Sequence, residues 1–128
     1  MVEDKVKVLI VEDNSIVVML LTETLTQMGH EVLGAVSSGE QALIGLDQFR
    51  PDLLIVDIHL EGGMSGIDMV QKIKQDFKVA VIYLTGDLTS DTISLGKKTK
   101  PNAYLKKPID VNQLKMTIEM IDFDDFKN

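Results

Sequence analysis

"KVLIVEDNS", residues 7–15, is an apolar run that ends in two adjacent acids. The run is too short for a globular helix, and its apolar residues do not alternate with polar ones. It reads as a β-strand over 7–11 covered on both faces, as in a parallel sheet. The acids raise a second question. Like charges such as Glu12 and Asp13 at the mouth of a buried strand are unfavourable unless something positive binds there.

Further along the chain the pattern repeats. "EVLGAV" (31–36), "DLLIVD" (52–57), "VAVIYL" (79–84) and "AYLKK" (103–107) read as four more strands. Helical stretches fall between them. In the first, Val17, Leu20, Leu21 and Met28 share a face, Asn14 or Ser15 can cap the start, and Gly29 stands where a helix would stop. "SSGEQALIGLDQF" and "GIDMVQKIKQDF" read as the second and third helices, and "SDTISLGKK" as a weaker fourth with Gly96 inside it. The last, over 110–122, carries Val111, Leu114, Ile118 and Ile121 on one stripe. Five strand–helix alternations predict an α/β fold, a doubly wound five-stranded parallel (βα)5 sheet with helices on both faces.

Composition narrows the function. A chain of 128 residues, 45% hydrophobic, suits one compact domain. It has no cysteine, which rules out a disulfide framework or a thiolate metal site. "LLIV" and "VAVIYL" are too short to cross a bilayer, and the start lacks a signal-peptide core, so a cytoplasmic, non-membrane protein is expected. The net charge of -7 opposes direct binding to nucleic-acid phosphates.

In doubly wound sheets ligands bind beyond the carboxyl ends of the strands, where the strand order reverses. Glu12 and Asp13 end the first strand, Asp57 the third, Thr85 and Gly86 follow the fourth, and Lys107 with Pro108 closes the fifth. In strand order 2-1-3-4-5 all of them meet at one mouth. Three carboxylates there repel one another, and an oxygen-preferring divalent ion would relieve that repulsion.

With these motifs in place, "VEDN", the Asp of "LLIVDIHL", "YLTG" and "AYLKKP" in that order, the sequence resembles the receiver domain of two-component response regulators. The resemblance runs from about residue 6 to residue 122, leaving a short acidic C-terminal tail, and it makes residues 1–128 a single receiver domain. It implies that Asp57 is the phosphoacceptor for a histidine kinase or phosphotransfer protein. It implies that Asp13, Asp57 and the His59 backbone carbonyl bind Mg2+ (or Mn2+), with Glu12 acting through water. Thr85, Gly86 and Lys107 would hold the phosphoryl group, Thr85 and Tyr104 would form the switch, and Lys107–Pro108 would be cis. Such a domain catalyses its own phosphorylation and slow dephosphorylation and turns over no separate substrate.

The sequence also departs from the family pattern. Glu61 replaces a common proline, "EGGMSG" is one residue longer than usual, and Lys100–Pro101 stands where many relatives carry Gly-Ala. His59 and Asp87 match positions that tune phosphoryl lifetime. His59 and His30 read as surface residues. Met116, Met120 and Phe123 lie opposite the core stripe of the last helix and suggest an association surface for a homodimer or effector. Rival classes fit less well. An aspartyl-nucleophile phosphatase would carry Asp-x-Asp where this chain has "DIH", and a nucleotide or flavin carrier would carry a glycine-rich loop where it has "VEDNSIV". A pseudo-receiver that only binds protein would not need the complete acid, hydroxyl and lysine set.

Overall fold

The computed structural model describes residues 5–60 and 62–126. Five strands, β1 (Lys7–Val11), β2 (Glu31–Val36), β3 (Leu53–Asp57), β4 (Ala80–Thr85) and β5 (Ala103–Lys106), form one parallel sheet in the order β2-β1-β3-β4-β5. The helices between and after them are α1 (Ser15–Gln27), α2 (Gly39–Phe49), α3 (Gly66–Asp76), α4 (Ser90–Lys97) and α5 (Val111–Glu119). The expected topology is the observed one, and strand limits differ from the sequence reading by one residue at most.

The apolar runs are explained by burial on two sides. Leu9 and Val11, Leu54 and Val56, and Val81 and Tyr83 face a core shared with α2 and α3. Val8 and Ile10, Leu53 and Ile55, and Ile82 and Leu84 face a second core under α1 and α5. Alternation is present in direction although not in polarity, as expected for strands covered by helices on both faces.

Local chemistry sets the helix ends. Asn14, not Ser15, caps α1 by accepting from the Ile16 and Val17 amides at 2.9 and 3.2 Å. Ser38, Ser65, Thr89 and Asp110 cap the other four helices in the same way. Gly29 ends α1 at a φ of +89°, a conformation that costs glycine least.

The C-terminal region corrects the sequence reading. The last α-helix stops at Glu119, and Phe123–Phe126 forms a separate 3-10 turn. Phe123 and Phe126 pack against the α1/α5 core, so the tail belongs to the domain's hydrophobic structure. Phe123 therefore leaves the exposed strip. Met116 and Met120 do project outward, at 62% and 83% exposure. His30 is partly exposed, and its Nδ1 accepts the Val6 amide at 3.1 Å.

Candidate functional site

The strand order reverses between β1 and β3, and their carboxyl ends carry the acids. Glu12 follows β1 directly and is only 2% exposed, while Asp57 is the last residue of β3 and 5% exposed. Asp13 turns outward to solvent. Carboxylate oxygens of Glu12, Asp13 and Asp57 nevertheless lie within 4.8 Å of one another. Main-chain donors orient the two buried acids. The Asn14 amide donates to Glu12 Oε2 at 3.0 Å, and the His59 amide donates to Asp57 Oδ1 at 2.9 Å.

Lys107 supplies the counter-charge. It sits just beyond β5, where its amide donates to Thr85 O at 2.8 Å and its peptide to Pro108 is cis, as the resemblance implies. Its ammonium lies 3.2 Å from Asp57 Oδ2 and 2.6 Å from Glu12 Oε1. The second contact is a close ion pair that buries Glu12 Oε1 against the ammonium. Burial raises the Glu12 pKa, and the Asp57 charge adds to this, against the lowering effect of Lys107 and the Asn14 amide. Burial alone would lower the Lys107 pKa, but Glu12 and Asp57 together outweigh it and hold the ammonium above its usual value.

Those features match what a hard divalent cation requires. The donor set is all oxygen, and three carboxylates converge.

Asp57 is also enclosed from beneath. Gly66, at the start of α3, comes so close that a Cβ there would lie 2.2 Å from the Asp57 carbonyl oxygen and 2.8 Å from Val56 Cγ1. Only glycine fits. Gly86 faces open space, so sterics do not demand glycine there.

The remaining expected residues are adjacent but otherwise engaged. Thr85 is buried at the end of β4, with its hydroxyl donating to Asp87 O at 2.9 Å and accepting the Asp87 amide at 3.0 Å. Tyr104 is half-buried, stacks at a tilt on Tyr83 with centroids 5.7 Å apart, and donates to Ile93 O in α4 at 2.9 Å. His59 is exposed. Glu61 lies outside the described residues. Lys100, where glycine was the expected residue type, adopts a left-handed φ of +55°. The sequence reading noted this substitution but not its partner: Lys74 donates to the carbonyls of Thr99 and Lys100 at 2.8 and 2.9 Å. It also missed that Tyr83 carries a buried hydrogen bond. Each was a single polar residue in an otherwise ordinary strand or helix pattern.

The fold and the acid-lined mouth define a doubly wound α/β domain that gathers carboxylates and a lysine at its topological switch point. The chain belongs to the response regulator receiver domain family, whose family profile matches residues 8–119. It is 30% identical over 114 residues to the transcriptional regulatory protein PdtaR of Mycobacterium tuberculosis, which covers 89% of this chain and 55% of that one. It is 31% identical over 103 residues to the phyllosphere-induced regulator PhyR of Methylorubrum extorquens, covering 80% and 38%. Among solved structures, the signal receiver domain of a modulated diguanylate cyclase from Desulfovibrio desulfuricans G20 matches with a TM-score of 0.84 and 32% identity, over 91% of this chain and 93% of that one. The chain thus spans about half the length, or less, of these two curated relatives. Among the described residues no helix is long and apolar enough to cross a membrane.

Proposed function

We propose that Asp57 is the phosphoacceptor of this receiver domain and takes its phosphoryl group from the phosphohistidine of a histidine kinase or phosphotransfer protein. The observation that carries the reading is the Lys107 ammonium, held 3.2 Å from Asp57 Oδ2 in a pocket that also buries Glu12. Phosphoryl transfer places its main demands on in-line positioning and charge compensation. A carboxylate oxygen of Asp57 attacks phosphorus as the phosphorus–nitrogen bond of the donor breaks. The imidazole leaves with the electron pair, and the product is an acyl phosphate.

Each neighbour has a task. Lys107 already faces the carboxylate and can follow the charge onto a phosphoryl oxygen. Thr85 exchanges its Asp87 bonds for one to the phosphoryl group, with the Gly86 amide beside it. Glu12, Asp13, Asp57 and the His59 carbonyl would hold Mg2+ or Mn2+, which when bound offsets charge on the phosphoryl oxygens. The modification replaces the single charge of the Asp57 carboxylate by the about 1.5 to 2 negative charges of a phosphoryl group, a change that can bias a two-state surface. In this reading Tyr104 moves with Thr85, and the response is read by partner proteins, with Met116 and Met120 offering one apolar contact. The reading includes no turnover of a separate substrate.

Intact mass measurement with acetyl phosphate, with and without Mg2+, tests it. The chain should gain one phosphoryl group only with the ion, and Asp57→Asn should gain none while keeping its circular dichroism. Asp13→Asn should need more Mg2+ for the same labelling. Full labelling of Asp57→Asn would overturn the assignment.

A further inference from the structure

Positive charge gathers at one place far from Asp57. Between the end of α3 and the turn that leads from α4 into β5 lies a cavity of about 320 Å3, at the opposite end of β5 from Lys107. Among the described residues it is lined by Gln71, Lys74 and Gln75 from α3 and by Lys98, Thr99 and Lys100 from the turn. Three cations thus surround one hollow, with no acid and no apolar side chain in its wall. This stands out in a chain whose net charge is -7.

The hollow is held in shape by buried polar bonds. Lys74 donates to Thr99 O and Lys100 O at 2.8 and 2.9 Å. Two of its three ammonium protons are thereby used, and the third is left for a ligand. Thr99 Oγ1 donates its only proton to Gly96 O at 2.6 Å, so Tyr83 is the donor in the 2.7 Å bond between Tyr83 OH and Thr99 Oγ1. The turn is therefore tied to a fully buried strand residue, and its lysines are presented from a fixed backbone.

Two features of this place cost stability while the hollow is empty. Lys100 holds a φ of +55°, a conformation that glycine adopts at least cost. Burial, with the Lys100 charge beside it, pushes the Lys74 pKa below the usual lysine value, so two ammoniums repel each other in a half-desolvated position. A glycine at position 100 would relieve both. Offsetting a helix dipole accounts for Lys97 in the last turn of α4, but Lys100 lies beyond the helix end. Backbone strain and charge repulsion meeting at one turn are what a bound anion would compensate.

We propose that this hollow binds a small soluble molecule carrying two linked phosphate groups, with Lys74, Lys98 and Lys100 as its charge partners and Gln71 and Gln75 as amide donors. Three ammoniums call for about three negative charges, and a single phosphate group carries only about 1.5 to 2. A lipid headgroup offers the same phosphate chemistry, but the wall has no apolar side chain to enter a bilayer. The site is independent of the phosphoacceptor reading, and Asp57 takes no part in it.

Titration of the 15N-labelled chain with inorganic pyrophosphate, without divalent ions, tests the proposal. Amide shifts should saturate over 71–75 and 97–100, and added salt should weaken the affinity. Lys98→Gln and Lys100→Gly should each weaken it about tenfold, the loss of one charge-assisted contact. Lys106→Gln, the same charge change outside the hollow, should match the wild type. Lys100→Gly also guards against a folding artefact. Without ligand its urea midpoint should exceed that of the wild type, and pyrophosphate should narrow the gap by stabilising the wild type more. Flotation with phosphatidylglycerol vesicles should leave the chain unbound. The proposal is overturned if the wild type shows no saturable shift, or if both pocket variants bind as tightly as it does. Shifts confined to 12–13, 57, 85–86 and 107 would place the anion at the carboxylate mouth and overturn it as well. Retention on vesicles without a response to pyrophosphate would assign the lysines to a lipid surface, with the same consequence.

Discussion

α3, of 11 residues, and α4, of 8, follow neighbouring strands, yet they are fixed by different physics. α3 buries Met69, Val70 and Ile73 in the core and starts at Gly66, pressed against the Asp57 main chain. α4 buries a threonine and a glycine and is held by hydroxyls, carbonyls and one lysine. Apolar burial resists displacement over the whole contact area, whereas directional bonds can be broken one at a time. The Asp57 side of the site is thus built on a helix fixed by apolar burial, and the helix beyond Thr85 is fixed by individual polar bonds. A domain that must hold a carboxylate still while altering its surface needs both.

The largest effects should come from the stiff side. Ile73→Ala should cost about 2–5 kcal/mol in chemical denaturation, since it leaves a cavity in a core residue that is fully enclosed. Gly66→Ala should cost about 3 kcal/mol, at the top of the overpacking range, because the new methyl meets backbone rather than a mobile side chain. It should also impair phosphate uptake by moving Asp57. A Gly66→Ala protein of normal stability would mean that α3 yields as readily as α4.

Next in size is an alkaline effect at Tyr83. Burial pushes its phenol up to about 12 from an ordinary 10, against the lowering effect of its bond to Thr99. A raised folded value means the contribution to stability is fully present below pH 10 and is lost as pH climbs from 10 to 12. With two tyrosines and no tryptophan in the chain, tyrosinate absorbance reports these groups directly. Tyr104, also raised by burial but less enclosed, should ionise first, and Tyr83 only as the fold gives way. Simultaneous ionisation of both near pH 10 in folded protein would contradict a sealed Tyr83–Thr99 bond.

Much of this was legible in the sequence, and the limit is physical. Strands were readable because burial on both faces leaves unbroken apolar runs, as in Leu53–Val56. Glu12, Asp13, Asp57 and Lys107 were readable because topology alone carries strand ends to one mouth. The weakness of α4 was visible too, in its β-branched residues and Gly96. What replaced apolar packing was not, because the Tyr83–Thr99 and Lys74–Lys100 pairs are set by packing between elements rather than by any local period. Phe123 failed for a related reason: extending a helical stripe past Glu119 assigns a face to a residue that has left the helix.

Gly96→Ala should have a smaller effect and a mixed one. Alanine gains roughly 1 kcal/mol in helix propensity. Its methyl would lie 2.6 Å from Tyr104 OH, which must move and give up Ile93 O, a loss of about 0.5–1.5 kcal/mol. Net stability should change by less than about 1 kcal/mol for that reason. The Tyr104 phenol should meanwhile titrate closer to 10 as it moves into water, the readout that separates loss of the Tyr104–Ile93 bond from simple destabilisation.

The smallest expected effect is the sharpest check on the contrast. Leu95→Ala removes a large apolar side chain from α4, as Ile73→Ala does from α3. Leu95 is 56% exposed and belongs to neither core, so its loss should shift stability by no more than about 0.5 kcal/mol. Leucine and alanine are both strong helix formers, which keeps propensity from masking the result. A cost above about 2 kcal/mol, the range of buried truncations, would mean that α4 does rest on apolar packing. The hydroxyl and lysine bonds would then be secondary, and the contrast with α3 would fall.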